Sequence, residues 1–198
     1  FIDANNPNDQ WKVIQPRERN LEYSVSHYKD DFYIRTNWNA KNFRLMKTSV
    51  NATLKNNWQE VIPHREDVLL RSINIFKNYL VFNERKDGLT KVRVINWIDN
   101  SDYYITFNDP TYSLYSSYNL EFDTDSFRFV YTSLTTPRSV YNYNMSTKKR
   151  ELLKQSEILG GKFDSDNYIS ERLYAPSRDG KTNIPISLVY RKGMKKNG

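Results

Sequence analysis

Apolar and polar side chains alternate along most of this chain, and the alternation returns in three similar segments. An alternation with a period of two residues is typical of β-strands that bury one face. The corresponding middle strands begin at Phe32, Tyr79 and Phe127, which lie 47 and 48 positions apart. Clusters of turn-forming residues such as Lys86-Asp87-Gly88 separate the runs.

Each segment contains four predicted strands. The predicted strands of the three segments, in order, are Leu21–Val25, Phe32–Thr36, Asn42–Met46 and Trp58–Ile62; Val68–Ile73, Tyr79–Asn83, Thr90–Ile95 and Tyr103–Thr106; Ser113–Ser117, Phe127–Tyr131, Val140–Asn144 and Arg150–Lys154. We expect a further leading strand at Trp11–Ile14.

A β-repeat of this length is typical of propeller blades, which are four-stranded sheets that bury their faces against neighbouring blades. A closed propeller needs about four to eight blades. Three blades and a leading strand therefore predict an all-β, partial (open) β-propeller, and we expect the chain to be a fragment of a larger ring.

The end of the chain predicts a β-hairpin over Ile169–Lys192, with its turn at Asp179 and Gly180. We therefore expect propeller blades over residues 1–155, a connector over 156–168 and the hairpin over 169–198. Gly160, Gly161 and Asp164 make the connector small and polar, so we expect an interdomain hinge there. A plain linker is the alternative.

Several sequence stretches together resemble oligopeptidase B (protease II) of the prolyl oligopeptidase family of serine peptidases. They are Trp58–Pro63, Arg85–Leu89, Phe129–Ser133, Thr135–Pro137, Val140–Tyr143, the Gly160-Gly161 pair and the hairpin itself. Lys162 departs from the pattern because it stands between the glycine pair and Phe163.

The resemblance implies a seven-bladed propeller that caps an α/β-hydrolase peptidase domain, and it implies that residues 169–198 are the first, truncated hairpin of that domain. It implies hydrolysis of short peptides after Arg or Lys by a serine, a histidine and an aspartate, with the propeller selecting substrates by size. The Gly-x-Ser-x-Gly motif of such a nucleophile is absent from these 198 residues, so we assign no catalytic residue and expect this chain alone to be inactive.

Composition leaves two other function classes open. A net charge of +7 would suit nucleic-acid binding, although a lysine-rich soluble surface is the favoured explanation. A free-standing protein-interaction module is the second alternative. The chain has no Cys and only His27 and His64. Asp164, Asp166 and Glu171 lack the spacing of a calcium loop, so we expect no metal and no cofactor.

We expect the partners of the full-length protein to be short peptides and its own catalytic domain, without nucleic acid or membrane. The unpaired hairpin edges predict a strand-swapped or edge-paired oligomer of this chain. A cytoplasmic location is expected, with the periplasm as the alternative.

Overall fold

The computed structural model describes residues 1–161, 163–195 and 197. Lys162, the departure from the family pattern, lies outside the described residues. The described chain divides into two compact units, residues 1–70 and 71–198, and each is considered by itself. The fold is all-β, with three four-stranded antiparallel sheets of the kind that forms a partial β-propeller.

The first unit contains one sheet in sequential order. Its strands are β1 (Tyr23–Tyr28), β2 (Asp31–Thr36), β3 (Arg44–Ser49) and β4 (Gln59–Ile62). Alternate positions of β2 bury Phe32 and Ile34 against Met46 and Trp58. Tyr33, on the opposite face of β2, is also buried, so this middle strand is covered on both faces and not on one face alone as the alternation predicted.

The predicted leading strand at Trp11–Ile14 is wrong. Residues 1–22 are all described and contain no strand. Phe1 and Lys12 instead exchange backbone hydrogen bonds with each other, at 2.7 and 2.8 Å. Phe1 and Ile14 pack on the sheet core, whereas Trp11 remains 77% exposed. Phe1 and Ile14 thus pack against the sheet without extending its edge, while Trp11 and Val13 remain exposed.

The second unit contains two further sheets, both in sequential order. The strands of one are β5 (Leu69–Ile75), β6 (Tyr79–Lys86), β7 (Leu89–Asn96) and β8 (Asp102–Ile105). Those of the other are β9 (Tyr112–Ser116), β10 (Ser126–Ser133), β11 (Ser139–Asn144) and β12 (Arg150–Gln155).

Aromatic and β-branched side chains form the core between these two sheets. Val81 and Val94 from the first sheet and Phe127 and Phe129 from the second are fully buried in one cluster. The rings of Phe76 and Phe127 meet edge to face, with centroids 6.4 Å apart. Burial of each such ring is worth about 1.5–3 kcal/mol, so the face-to-face contact is the main source of stability in this unit.

The C-terminal hairpin forms as predicted, from β13 (Tyr168–Pro176) and β14 (Asn183–Arg191). Gly180 adopts a φ of +68°, which is the left-handed conformation expected at its turn. The Ser177 amide donates to the Thr182 carbonyl at 2.7 Å, and the Lys181 amide donates to the Asp179 carboxylate at 3.1 Å. The hairpin therefore has a closed, well-bonded turn of its own.

Among the described residues, no helix is long and apolar enough to span a membrane.

Candidate functional site

One end of the second unit brings together two sheet connections and the C-terminal hairpin. Strands β6 and β8 run in the same direction, so the β6–β7 turn and the β8–β9 loop emerge at the same end of the sheets. The β10–β11 loop also emerges there, because β10 is antiparallel to both β9 and β11. We call this surface the loop end.

A single rung of the hairpin contacts the loop end at two places. Arg172 and Ser187 are direct cross-strand partners, so their side chains lie on the same face of the hairpin. The Arg172 guanidinium donates to the backbone carbonyl of Asp87 in the β6–β7 turn. The Ser187 hydroxyl lies 2.7 Å from the hydroxyl of Thr111 in the β8–β9 loop. We call Arg172 and Ser187 the docking rung.

The β6–β7 turn is shaped for this contact. Lys86 pairs with Leu89, which leaves a two-residue turn of Asp87 and Gly88 with φ values of +50° and +75°. Two consecutive left-handed residues give the turn type that suits the twist of a hairpin. A Cβ atom at Gly88 would lie 2.8 Å from a guanidinium nitrogen of Arg172. Glycine therefore suits the left-handed conformation of the turn, and a Cβ there would require the end of the Arg172 side chain to shift.

A pocket of 530 Å³ opens between this turn and the hairpin. Asp87, Gly88, Tyr174, Asn183 and Pro185 line it. Tyr174 and Pro185 are a cross-strand pair two residues from the docking rung, so they lie on the same hairpin face.

The β8–β9 loop is held by a carboxylate that accepts from three hydroxyl groups. Asp109 accepts from Tyr131 at 2.5 Å, from Thr136 at 3.2 Å and from Thr135 at 3.3 Å. Burial raises the pKa of Tyr131 well above its usual value, and the hydrogen bond to Asp109 adds to that shift. These bonds fix the β8–β9 loop to the β10–β11 loop.

Arg150 fixes the same loop from the other side. Its guanidinium donates to the Thr106 carbonyl at 2.6 Å and lies 4.6 Å from the ring centroid of Phe107. The Phe107 ring stacks in turn on Tyr131 with centroids 5.0 Å apart. A cation over an aromatic face is attractive, so the loop that carries Thr111 is rigidly supported before it reaches the hairpin.

The predicted hinge residues lie in an open segment before the hairpin. The Ser156 amide donates to the Arg138 carbonyl at 2.8 Å, which fixes the start of the connector. Gly160 has a φ of +90°, and a Cβ atom at Gly160 or Gly161 would meet nothing within 4 Å. Asp164 has a local role, since its carboxylate accepts from the Asp166 amide at 2.9 Å and caps a short 3₁₀ turn.

The other residues considered from sequence lie in ordinary surroundings. His27 is on β1 with its ring 5.5 Å from that of Phe32, and His64 accepts from the Asn42 amide at 3.2 Å. Glu171 accepts from the Tyr190 hydroxyl on the neighbouring strand. Among the described residues, no three His, Cys, Asp or Glu side chains are grouped to hold a metal ion.

Sequence reasoning missed the docking rung and the Asp109 cluster. Lys86-Asp87-Gly88 was identifiable as a turn, but nothing in the sequence indicated that its carbonyl faces Arg172, 85 positions later. A short polar loop before β9 was the only available signal for Asp109, and many surface loops share that composition.

The family is defined by comparison with known proteins. A sequence profile of the prolyl oligopeptidase N-terminal β-propeller domain matches residues 1–156. The chain belongs to this family.

Curated relatives include "Dipeptidyl aminopeptidase BI" of Pseudoxanthomonas mexicana, 40% identical over 187 residues. That match covers 94% of this chain and 25% of the relative. "Protease 2" of Moraxella lacunata is 27% identical and is matched by the whole chain over 28% of its own length. The chain therefore spans about a quarter of the length of these relatives.

Similar solved structures include oligopeptidase B from Leishmania major, with a TM-score of 0.82 and 29% identity over 94% of this chain and 27% of that protein. Oligopeptidase B from Trypanosoma brucei, in a closed form with covalently bound antipain, has a TM-score of 0.80 and 30% identity. That match covers 92% of this chain and 27% of the other. The expected resemblance to oligopeptidase B is thus confirmed.

Proposed function

We propose that this chain is the non-catalytic propeller part of a serine oligopeptidase that hydrolyses short peptides. The observation that carries the proposal is the family match over residues 1–156, which is followed directly by a connector and a hairpin docked on the sheet ends. The chain would supply a rigid surface facing a peptidase domain, and the reacting groups would come from that domain.

The propeller would select substrates by size. The loop end is rigid, because Asp109 and Arg150 fix its loops, and a rigid rim excludes bulky polypeptides better than a mobile one. The test measures how fast the full-length protein cleaves two substrates. One is a peptide of about 8 residues, and the other is the same cleavage sequence embedded in a folded protein domain. The proposal requires strong preference for the short peptide; equal cleavage of both would contradict size selection.

For the cleaved bond we propose the carboxyl side of Arg or Lys, on the strength of the oligopeptidase B resemblance. A second candidate is release of dipeptides from peptide N-termini, which the name of the 40% identical relative favours. Internally quenched peptides distinguish the two candidates. The peptides carry Arg, Lys, Pro or Ala before the scissile bond, and each is tested with a free and with an acetylated N-terminus. Cleavage after Arg and Lys regardless of acetylation supports the first candidate.

We further propose that Gly160 and Gly161 form part of the interdomain hinge. Proline fixes φ near −65°, whereas Gly160 needs +90°. The paired change Gly160→Pro and Gly161→Pro in the full-length protein should therefore lower turnover of peptides. Gly160→Asn together with Gly161→Ala is the matched control at the same two positions, because both side chains have open space there and neither fixes φ as proline does. Unchanged kinetics in the connector variant would remove the hinge assignment.

A further inference from the structure

The hairpin is a rigid body attached to the rest of the second unit by few contacts. Its two strands pair over nine consecutive positions, and its turn is closed by its own hydrogen bonds. The described residues 156–161 and 163–167 that precede it are exposed, and two of them are glycines with open space around them. A stiff element on a flexible connection moves as a unit, so its position depends on the contacts that it makes at the loop end.

Three of those contacts lie on one face of the hairpin. Arg172 reaches the β6–β7 turn and its partner Ser187 reaches the β8–β9 loop. Pro185 adds a packing contact, 3.5 Å from the position of a Cβ atom at Gly88. Thr111 is only 7% exposed, so its hydroxyl is presented by a supported loop.

We propose that Arg172 is a positioning residue that fixes the hairpin against the β6–β7 turn, and that loss of this contact increases the population in which the hairpin leaves its docked position. The receptor is the Asp87 carbonyl together with the space left by Gly88. A hydrogen bond from a charged guanidinium is stronger than one between neutral groups, so this contact favours the docked position of the hairpin. The positioning of the hairpin by Arg172 does not rest on the proposed function.

The test measures the hairpin's position in this chain directly. The chain has no Cys, so Lys149→Cys and Lys181→Cys introduce the only two thiols for spin labels. Both positions are exposed; one lies in the β11–β12 turn and the other in the hairpin turn. Pulsed electron–electron double resonance then gives the distribution of distances between them. The labelled chain is diluted with unlabelled chain so that both labels of a pair lie in one molecule, and a single narrow peak is expected when the hairpin is docked.

Arg172→Met should add a second, broad population of distances. Hydrogen bonds to charged groups contribute enough that the released population should rise about tenfold to a hundredfold. Arg172→Lys keeps a donor and should restore most of the narrow peak. Arg178→Met is the matched control, because Arg178 is an exposed arginine in the turn of the same hairpin. An unchanged distribution in Arg172→Met would overturn the proposal.

A pair of glycine variants tests the same contact without altering the arginine. Gly88→Asn and Gly180→Asn both place a side chain at a φ near +70°, which asparagine tolerates best among the larger residues. Only the Cβ at 88 meets the Arg172 guanidinium, while the one at 180 meets nothing within 4 Å. Gly88→Asn should broaden the distribution and Gly180→Asn should not. Should Arg172→Met fail to fold, equal distributions in these two variants would overturn the proposal.

Discussion

At the scale of the residue, Asp109 is the most connected side chain of the loop end. It accepts from Tyr131, Thr135 and Thr136, so one carboxylate ties two loops together. Hydrogen bonds to a charged acceptor are stronger than neutral ones, and removal of the acceptor leaves buried donors unsatisfied.

Asp109→Asn should therefore lower the free energy of unfolding by about 1–3 kcal/mol, since the amide loses the charge and presents only one acceptor oxygen. Urea denaturation followed by tryptophan fluorescence measures the change. Glu121→Gln is the control, because Glu121 is exposed and should shift stability by less than about 0.5 kcal/mol. Equal effects of the two variants would show that Asp109 does not support the fold.

Tyr131 makes the stability of the second unit depend on pH in the alkaline range. Burial and the bond to Asp109 raise its pKa in the folded state, whereas an unfolded tyrosine ionises near pH ~10. The phenol stays protonated in the folded chain, so its stabilising contribution is complete below pH ~10 and falls progressively as the pH rises above that value.

Tyr131→Phe should consequently flatten the loss of stability between pH ~9 and ~11, even though it lowers stability at neutral pH. The measurement is the free energy of unfolding from urea titrations across that range. Tyr118→Phe serves as control, because Tyr118 is 85% exposed. A steeper decline in Tyr131→Phe than in the unsubstituted chain would contradict the assignment.

At the scale of the element, strands and the hairpin were predictable because each depends on local patterns. The alternation of apolar and polar residues along Phe127-Arg128-Phe129 indicates a buried strand face, and the glycine at position 180 indicates a turn. Trp11–Ile14 shows the limit of that reasoning. Its short apolar pattern is the same whether the segment pairs along an edge or lies across a face, and only the tertiary structure decides.

The hairpin element should also cause self-association of this chain. Strands β13 and β14 pair only with each other in the described structure, so each leaves one edge of nine residues open. Open strand edges pair with other chains unless charge or proline blocks them. Light scattering coupled to size exclusion should give a mass above 23.6 kDa at high concentration.

Ile186→Lys, which places a charge in the middle of β14, should reduce that association, because inward or edge charges disfavour strand pairing. Lys154→Ile serves as the control, because it removes a charge from β12 and leaves the hairpin unchanged. A chain that stays monomeric at high concentration would count against edge pairing.

At the scale of the whole molecule, the repeat of about 47 residues was sufficient to predict blades, because stacked sheets impose a fixed strand count on each repeat. The loop end was not predictable. It depends on Arg172 reaching Asp87 and on Asp109 gathering three hydroxyls, and both are contacts between residues distant in sequence. Topology places these residues at one end of the sheets, and topology follows from strand order, which local patterns do not specify.

We propose that these 198 residues form part of the propeller of a serine oligopeptidase, and that the reacting groups lie elsewhere in the full-length protein. The most direct measurement treats the full-length protein and this chain with a fluorophosphonate probe and locates the adduct by peptide mass spectrometry. We predict one labelled serine in the full-length protein, outside residues 1–198, and no labelling or peptide hydrolysis by this chain alone. An adduct on any serine of this chain, together with peptidase activity of the isolated chain, would contradict the account.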